Sequence, residues 1–456
     1  MSSNPFTRRR FLGSTLAVSG GLALSACGGG GGGGGENQAP AAQSVSQAQI
    51  DEAMSKDTTL TFWTWVPDIK NQVDMFQKAY PKIKVKLVNV GQGAPHYTKL
   101  RAAIKSGQGA PDVAQMEFQY IDSFTLGGDL ADLAPNGATP EFMAQFPEWV
   151  RTQVTKDGKV YGTPQDIGPL GLLYREDLLK AAGVEPPKTW AEFATAAEKY
   201  KAQNTKGVLT NFAPNDAGHF VSFLWQAGAR PFAFDGKETV KVDLASDQAK
   251  QVAQYWSDLI QKNLVSVDPD FTDTWYQGFS NGKYASWPAA AWGPVFLQGT
   301  AEKTAGKWRA TQIPQWDAAK PTSGNWGGST NSVLKGSPNQ IAATQMAVFI
   351  NSKEPALRMA TEQFQFPASN EILEDPKFSS QKSTFYGGQT VNQTFADISK
   401  TVTPDFGWLP FTDFAYTAYG DTLGKAIASK SDLVAGLQAW QDACAKYAKD
   451  QGFTLS

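Results

Sequence analysis

Leu60-Thr61-Phe62-Trp63-Thr64-Trp65, in a chain of 456 residues, reads as a strand. The segments after it decide the fold class. Ile69, Val73 and Phe76 have helical spacing over 69–79. Over 82–90, Ile83, Val85 and Leu87 alternate with Lys84 and Lys86 as a second strand. A further helix is expected over 96–106, a short strand at Asp112-Val113-Ala114 and a helical start over 121–126. Strand, helix, strand, helix, strand at this spacing predicts an α/β fold with a mostly parallel sheet.

Further along, Tyr161-Gly162-Thr163-Pro164-Gln165-Asp166-Ile167-Gly168-Pro169 is dense in Gly and Pro and precedes the apolar Leu170-Gly171-Leu172-Leu173-Tyr174. It is the first expected crossing between two lobes, because roughly 400 residues exceed what one core serves. Helices are predicted over 176–182, 190–203, 220–227, 246–262, 271–281, 339–350, 355–365, 421–428 and 433–449. The segment 283–287 reads as a strand returning to the first lobe, with Ser332-Val333-Leu334 near a second return. The expected lobes are therefore 57–164 plus 284–334, and 165–283 plus 335–456.

The amino terminus carries its own signal. Arg8, Arg9 and Arg10 precede an apolar, Gly- and Ser-containing stretch to Ala26, and Leu24-Ser25-Ala26-Cys27 is a small-residue cleavage context. The paired arginines before Phe11-Leu12 resemble a twin-arginine export signal, and the residues up to Cys27 resemble the lipobox of bacterial lipoproteins. That resemblance implies removal of residues 1–26 and lipidation of Cys27. Gly28 to Gly35 and the Gln/Ala/Ser-rich residues up to 56 are expected to form a flexible tether.

Hydrophobic residues at 41% and charged residues at 18% fit a globular chain. With 41 basic and 43 acidic side chains, neither nucleic acid nor an anionic surface is an obvious partner. Cys27 and Cys444 are the only cysteines. If Cys27 carries lipid, Cys444 has no intramolecular partner, and its helical context reads as apolar packing.

Several motifs together resemble the extracellular solute-binding proteins, family 1, that deliver sugars to ABC importers. They are Trp63-Thr64-Trp65, Ser106-Gly107-Gln108-Gly109-Ala110-Pro111-Asp112-Val113, Tyr161-Gly162-Thr163-Pro164, Leu173-Tyr174-Arg175-Glu176-Asp177-Leu178, Pro187-Lys188-Thr189-Trp190-Ala191-Glu192-Phe193 and Phe279-Ser280-Asn281-Gly282-Lys283-Tyr284-Ala285. The resemblance implies a two-lobe, maltose-binding-protein-like (type II) periplasmic-binding-protein fold. It also implies a sugar site in the cleft, closure on ligand, and docking of a monomeric receptor on a membrane permease. No cofactor is implied. The family commonly has Tyr-Asn where this chain has Tyr174-Arg175.

A neutral mono- or oligosaccharide needs aromatic platforms for its faces and a few directed polar groups for its hydroxyls. Trp63 and Trp65 end the first strand, where open α/β sheets bind ligands. Gln92 follows the second strand, Glu117 and Gln119 the third, and Asp166 adjoins the crossing. In the second half the candidates are Trp225, Trp275, Trp287, Trp292 and Trp326; the last three are flanked by Gly or Pro or lie in such loops.

The enzymatic alternative is a lipid-anchored, oligosaccharide-degrading hydrolase, and a third is a binder of a non-sugar solute. Gly278-Phe279-Ser280-Asn281-Gly282 matches the serine-nucleophile pattern G-x-S-x-G, but the elbow needs a preceding strand and a later histidine. His96 and His219 both come earlier. Two distant histidines and two distant cysteines make no zinc site.

Overall fold

The computed structural model describes residues 44–203 and 206–456. The export signal, Cys27 and the glycine run lie outside them. Strands β1 (Thr58–Trp63), β2 (Ile83–Val88), β3 (Val113–Glu117), β4 (Thr163–Asp166), β5 (Leu170–Arg175), β6 (Ser286–Ala290), β7 (Trp308–Gln312) and β8 (Ser329–Val333) form the two principal sheets. The first has the order β2-β1-β3-β8-β4 and the second β6-β5-β7.

In the first sheet β1 runs parallel to β2 and β3, as the opening βαβαβ pattern predicts. β2 is its edge, and Lys84 and Lys86 face outward there, which discourages pairing with another chain. β8 pairs antiparallel with both β3 and β4. Its Ser329, Thr330, Asn331 and Ser332 are all buried. Side-chain bonds satisfy this polar run: Asn331 Nδ2 donates to Gln165 Oε1 at 3.0 Å, and Asn351 Nδ2 to Asn331 Oδ1 at 2.8 Å.

The chain passes between the two halves at 166–170, 324–329 and 363–368. The first two crossings are bonded together: Gly168 N donates to Asn325 Oδ1 at 2.8 Å, and Trp326 N donates to Gly168 O at 2.8 Å. A Cβ at Gly168 would lie 2.0 Å from Trp326 O, so the approach requires glycine.

Two expectations change. The residues predicted to be tether up to 56 include a helix, Gln47–Ser55, closed by a capping box between Ser46 and Gln49. Val45 N bonds Pro135 O at 2.9 Å and Met54 is buried, so this helix packs on the first half. The lobe boundaries also move. The strand expected to return over 283–287 is β6, which pairs with β5 in the second sheet. Only β8 returns to the first. Helices Gln340–Ile350 and Lys353–Glu362, assigned by sequence to the second lobe, pack on Lys70–Ala79 and so belong to the first. Alternation identifies a strand but not its sheet, and Pro288 is tolerated because β6 is an edge.

Cys444 is buried and free, and burial pushes its thiol up to about 12, in keeping with apolar packing. Among the described residues no helix is long and apolar enough to cross a membrane.

Candidate functional site

The carboxyl ends of β3 and β4, the second crossing, and the start of helix Ala217–Gln226 converge. Trp326 stands on the crossing itself, stacked on His219 with ring centroids 4.2 Å apart and 18° between planes. Gly327 and Gly328, at φ 77° and 90°, turn the chain from Trp326 into β8. Trp292, half-buried at the start of helix Gly293–Thr300, meets Trp326 edge-on at 4.7 Å, and its Nε1 donates to Trp326 O at 2.9 Å. Phe271 lies 6.0 Å from both indoles and is 43% exposed.

Four carboxyl groups accompany the rings. Glu117, at the end of β3, accepts from Tyr97 Oη at 3.1 Å and from Gln119 Nε2 at 3.2 Å. Burial, opposed by these bonds and reinforced by the charges of Asp166 and Asp216, pushes it up to about 7. Asp166 accepts a short bond from Ser329 Oγ, and burial raises it to about 6. Asp216 caps helix Ala217–Gln226 by accepting from His219 N at 2.8 Å, and burial raises it to about 6. Asp270, buried and with the Asp216 charge nearby, rises to about 8, and its Oδ1 has no partner. Among the described residues none of the four pairs with Lys or Arg, so nothing here welcomes an anion.

The sequence candidates divide by position. Glu117, Gln119, Asp166, Trp292 and Trp326 come together. Trp65 joins through its backbone: Trp65 N donates to Gln115 Oε1 at 3.1 Å, and Gln115 Nε2 donates to Ser329 Oγ at 2.9 Å. Trp63 is buried and meets His96 edge-on at 6.2 Å. Trp287 and Trp275 are buried behind Trp292, their rings perpendicular at 5.1 Å. Trp287 meets Trp292 at 6.1 Å and Trp326 at 6.4 Å, and Trp275 packs on Trp287 and Phe271. Trp225 packs elsewhere, stacked on Phe406 at 4.2 Å with Nε1 donating to Thr403 O at 3.1 Å. Gln92 is exposed in the loop before helix Ala94–Ser106. Arg175 makes a bidentate pair with Asp177 at 2.7 Å and is spent there.

Sequence reasoning missed Tyr97, Asp216, His219, Asp270 and Phe271. Asp216 carries a helix-cap signal, and Phe271 lies in the turn before a helix, but neither signal points to a ligand. The assembled surface offers the half-buried Trp292 indole, backed by Trp326, beside carboxyl acceptors, which suits a ring bearing several hydroxyl groups.

The carboxyl groups give a pH response in the ligand-free protein. Burial pushes His96 down to about 4 and His219 to about 3, so both are neutral in the folded chain at neutral pH. The unfolded chain sheds the last of its histidine protons above the ordinary value of 6.5, which offsets only part of the carboxyl effect. A carboxyl raised by folding keeps a proton that the unfolded chain has released. That stability is present at low pH and lost as pH climbs through the folded value. The thermal midpoint should therefore fall between pH 6.5 and 8 as Glu117 and Asp270 ionise. Asp270→Asn should remove the upper part of the fall, and an unchanged slope would contradict the assignment.

Residues 43–356 match the family described as bacterial extracellular solute-binding protein. The chain is 27% identical over 380 residues to the arabinooligosaccharide-binding protein of Bacillus subtilis (strain 168), covering 78% of this chain and 84% of that one. It is 26% identical over 364 residues to the lactose-binding protein of Rhizobium radiobacter, covering 74% and 81%. Among solved structures it is similar to the ABC transporter associated binding protein from B. animalis subsp. lactis Bl-04 in complex with beta-1,6-galactobiose. That match has TM-score 0.78 and 32% identity, and covers 87% of this chain and 99% of that one.

Proposed function

The chain belongs to the bacterial extracellular solute-binding proteins, and on that premise we propose that it is the receptor of an ABC importer, capturing a neutral sugar or oligosaccharide outside the cytoplasm. The carrying observation is that Trp292 and Trp326 meet edge-on at 4.7 Å beside Gly168, where the chain crosses between its halves two residues after Asp166. A ligand held there touches groups from both halves. It favours the closed arrangement by its greater affinity for that state, and the closed form is what the permease partner would receive. Trp292 supplies the accessible face with Trp326 behind it, while Glu117, Asp166 and Asp216 accept from hydroxyls.

Capture without chemistry is the reading favoured over the hydrolase. Ser280 lies inside helix Asp273–Asn281, with its Oγ donating to Thr300 O at 3.0 Å, so it is not presented on a strand-to-helix elbow. The relatives named for arabinooligosaccharide and lactose support carbohydrate as the ligand class.

Thermal shift against mono- to hexasaccharides tests the proposal. A bound sugar at about 100 times its Kd should add about 2.7 kcal/mol of stability and be recovered intact. No shift with any sugar, or newly formed reducing ends, overturns it. We further propose that the receptor is a monomer tethered through lipid on Cys27, after twin-arginine export. Incorporation of labelled fatty acid should vanish in Cys27→Ser; persistence of the label would refute the anchor.

A further inference from the structure

Phe271, Val295 and Phe296 are three of only five large apolar side chains that the described residues leave exposed. Phe271 and Phe296 adjoin the indole platform, and Val295 precedes Phe296 on the same helix. Trp292 and Phe296 are four residues apart at the start of one helix, hence on one face, with ring centroids 5.6 Å apart. Exposure rises outward from 5% at Trp326, through half-buried Trp292, to 45% at Phe296. Phe271 closes the other side of Trp292.

Phe271 is unusual twice over. Its φ is 55°, in the left-handed region where a bulky side chain strains the backbone. It also leaves much of its ring in water. A glycine there would remove both disadvantages, so the ring contacts of Phe271 with Trp275, Tyr276, Trp292 and Trp326 are kept at a cost in backbone strain and exposed apolar surface. Strain of this kind gathers where a ligand is held.

We propose that the sugar site continues outward over Phe271 and Phe296, so that the preferred ligand is an oligosaccharide of three or more units whose outer end lies on Phe296, open to solvent. This rests on the sugar-receptor reading. Continuity of the rings with Trp292 favours a sugar over a protein partner as the occupant. The helix advances about 6 Å between the two positions, comparable with the length of one sugar ring.

Titration calorimetry on the full soluble protein tests it with two series, arabinose to arabinotetraose and galactose to β-1,6-galactotriose. Affinity should climb up to the third unit. Phe296→Ala should lower trisaccharide affinity about fivefold, with a smaller loss for disaccharides. Phe271→Gly should lower affinity while its unfolding midpoint holds or rises, a combination a purely structural residue would not give.

Affinity that stops rising at two units, or a trisaccharide affinity that Phe296→Ala leaves intact, overturns the outer position. So does a Phe271→Gly protein that is less stable yet binds normally. Loss of transport with normal sugar binding in Phe296→Ala would instead assign the patch to the permease. Absence of binding by the unmodified protein in these series and in the wider sugar panel would defeat the receptor reading itself, and the outer position with it.

Discussion

Trp292→Ala is expected to lower sugar affinity about thirtyfold, equivalent to ~2 kcal/mol, while the protein stays folded. Two losses combine. The half-buried indole is the most accessible of the platform tryptophans, so its face is free to stack on a ligand ring. Its Nε1–H also holds Trp326 O at 2.9 Å, and without that bond the loop 325–328 loses one of its fixings. Calorimetry checks the affinity, and near-ultraviolet circular dichroism checks that the aromatic core is intact. Trp292→Phe should keep part of the stacking but not the hydrogen bond, so an intermediate affinity is expected. Unchanged binding in Trp292→Ala would remove this residue from the site.

Trp287→Ala is expected to act on folding rather than directly on the ligand. Trp287 is 2% exposed, perpendicular to Trp275 at 5.1 Å and 5.5 Å from Phe279. Truncating such a side chain in a close-packed interior costs about 3–5 kcal/mol, because the cavity only partly collapses. Urea unfolding should show that loss, and Trp287→Phe should restore most of it. The folded fraction should lose less affinity than Trp292→Ala does. The reverse pattern, full stability with lost binding, would make Trp287 the platform and Trp292 its support.

The contrast between these two tryptophans marks what the chain makes legible. Both stand near Gly or Pro, and loop chemistry alone treats them alike. Only the pairing of β6 with β5 reveals that Trp287 points into the second half's interior. The βαβαβ opening was readable because period-2 and period-3.6 patterns are strong in residues 58–126. β8 was harder: Ser329-Thr330-Asn331-Ser332 has no apolar signature, yet it is a central, buried strand. Its polar groups are satisfied by Gln115, Asp166, Gln165 and Asn351, partners that come from distant parts of the chain.

The site was legible in part for the same reason. Glu117 and Asp166 lie at strand ends, where ligand sites are expected, and sequence position points to them. Asp216 and Asp270 come from a helix start and a loop. Nothing local says that they approach each other or face the indoles.

β8 also has a consequence for synthesis. It fills the gap between β3 and β4, but its residues leave the ribosome more than 160 positions after Asp166. Until then Thr163–Asp166 has no neighbour in its sheet, and the amino-terminal half emerges as an incomplete sheet. This half is therefore not an independent folding unit, and consolidation must wait until most of the polypeptide has been made. Such late, long-range closure suits a protein that completes itself as one body after translation, not one that folds piecewise as it is extruded.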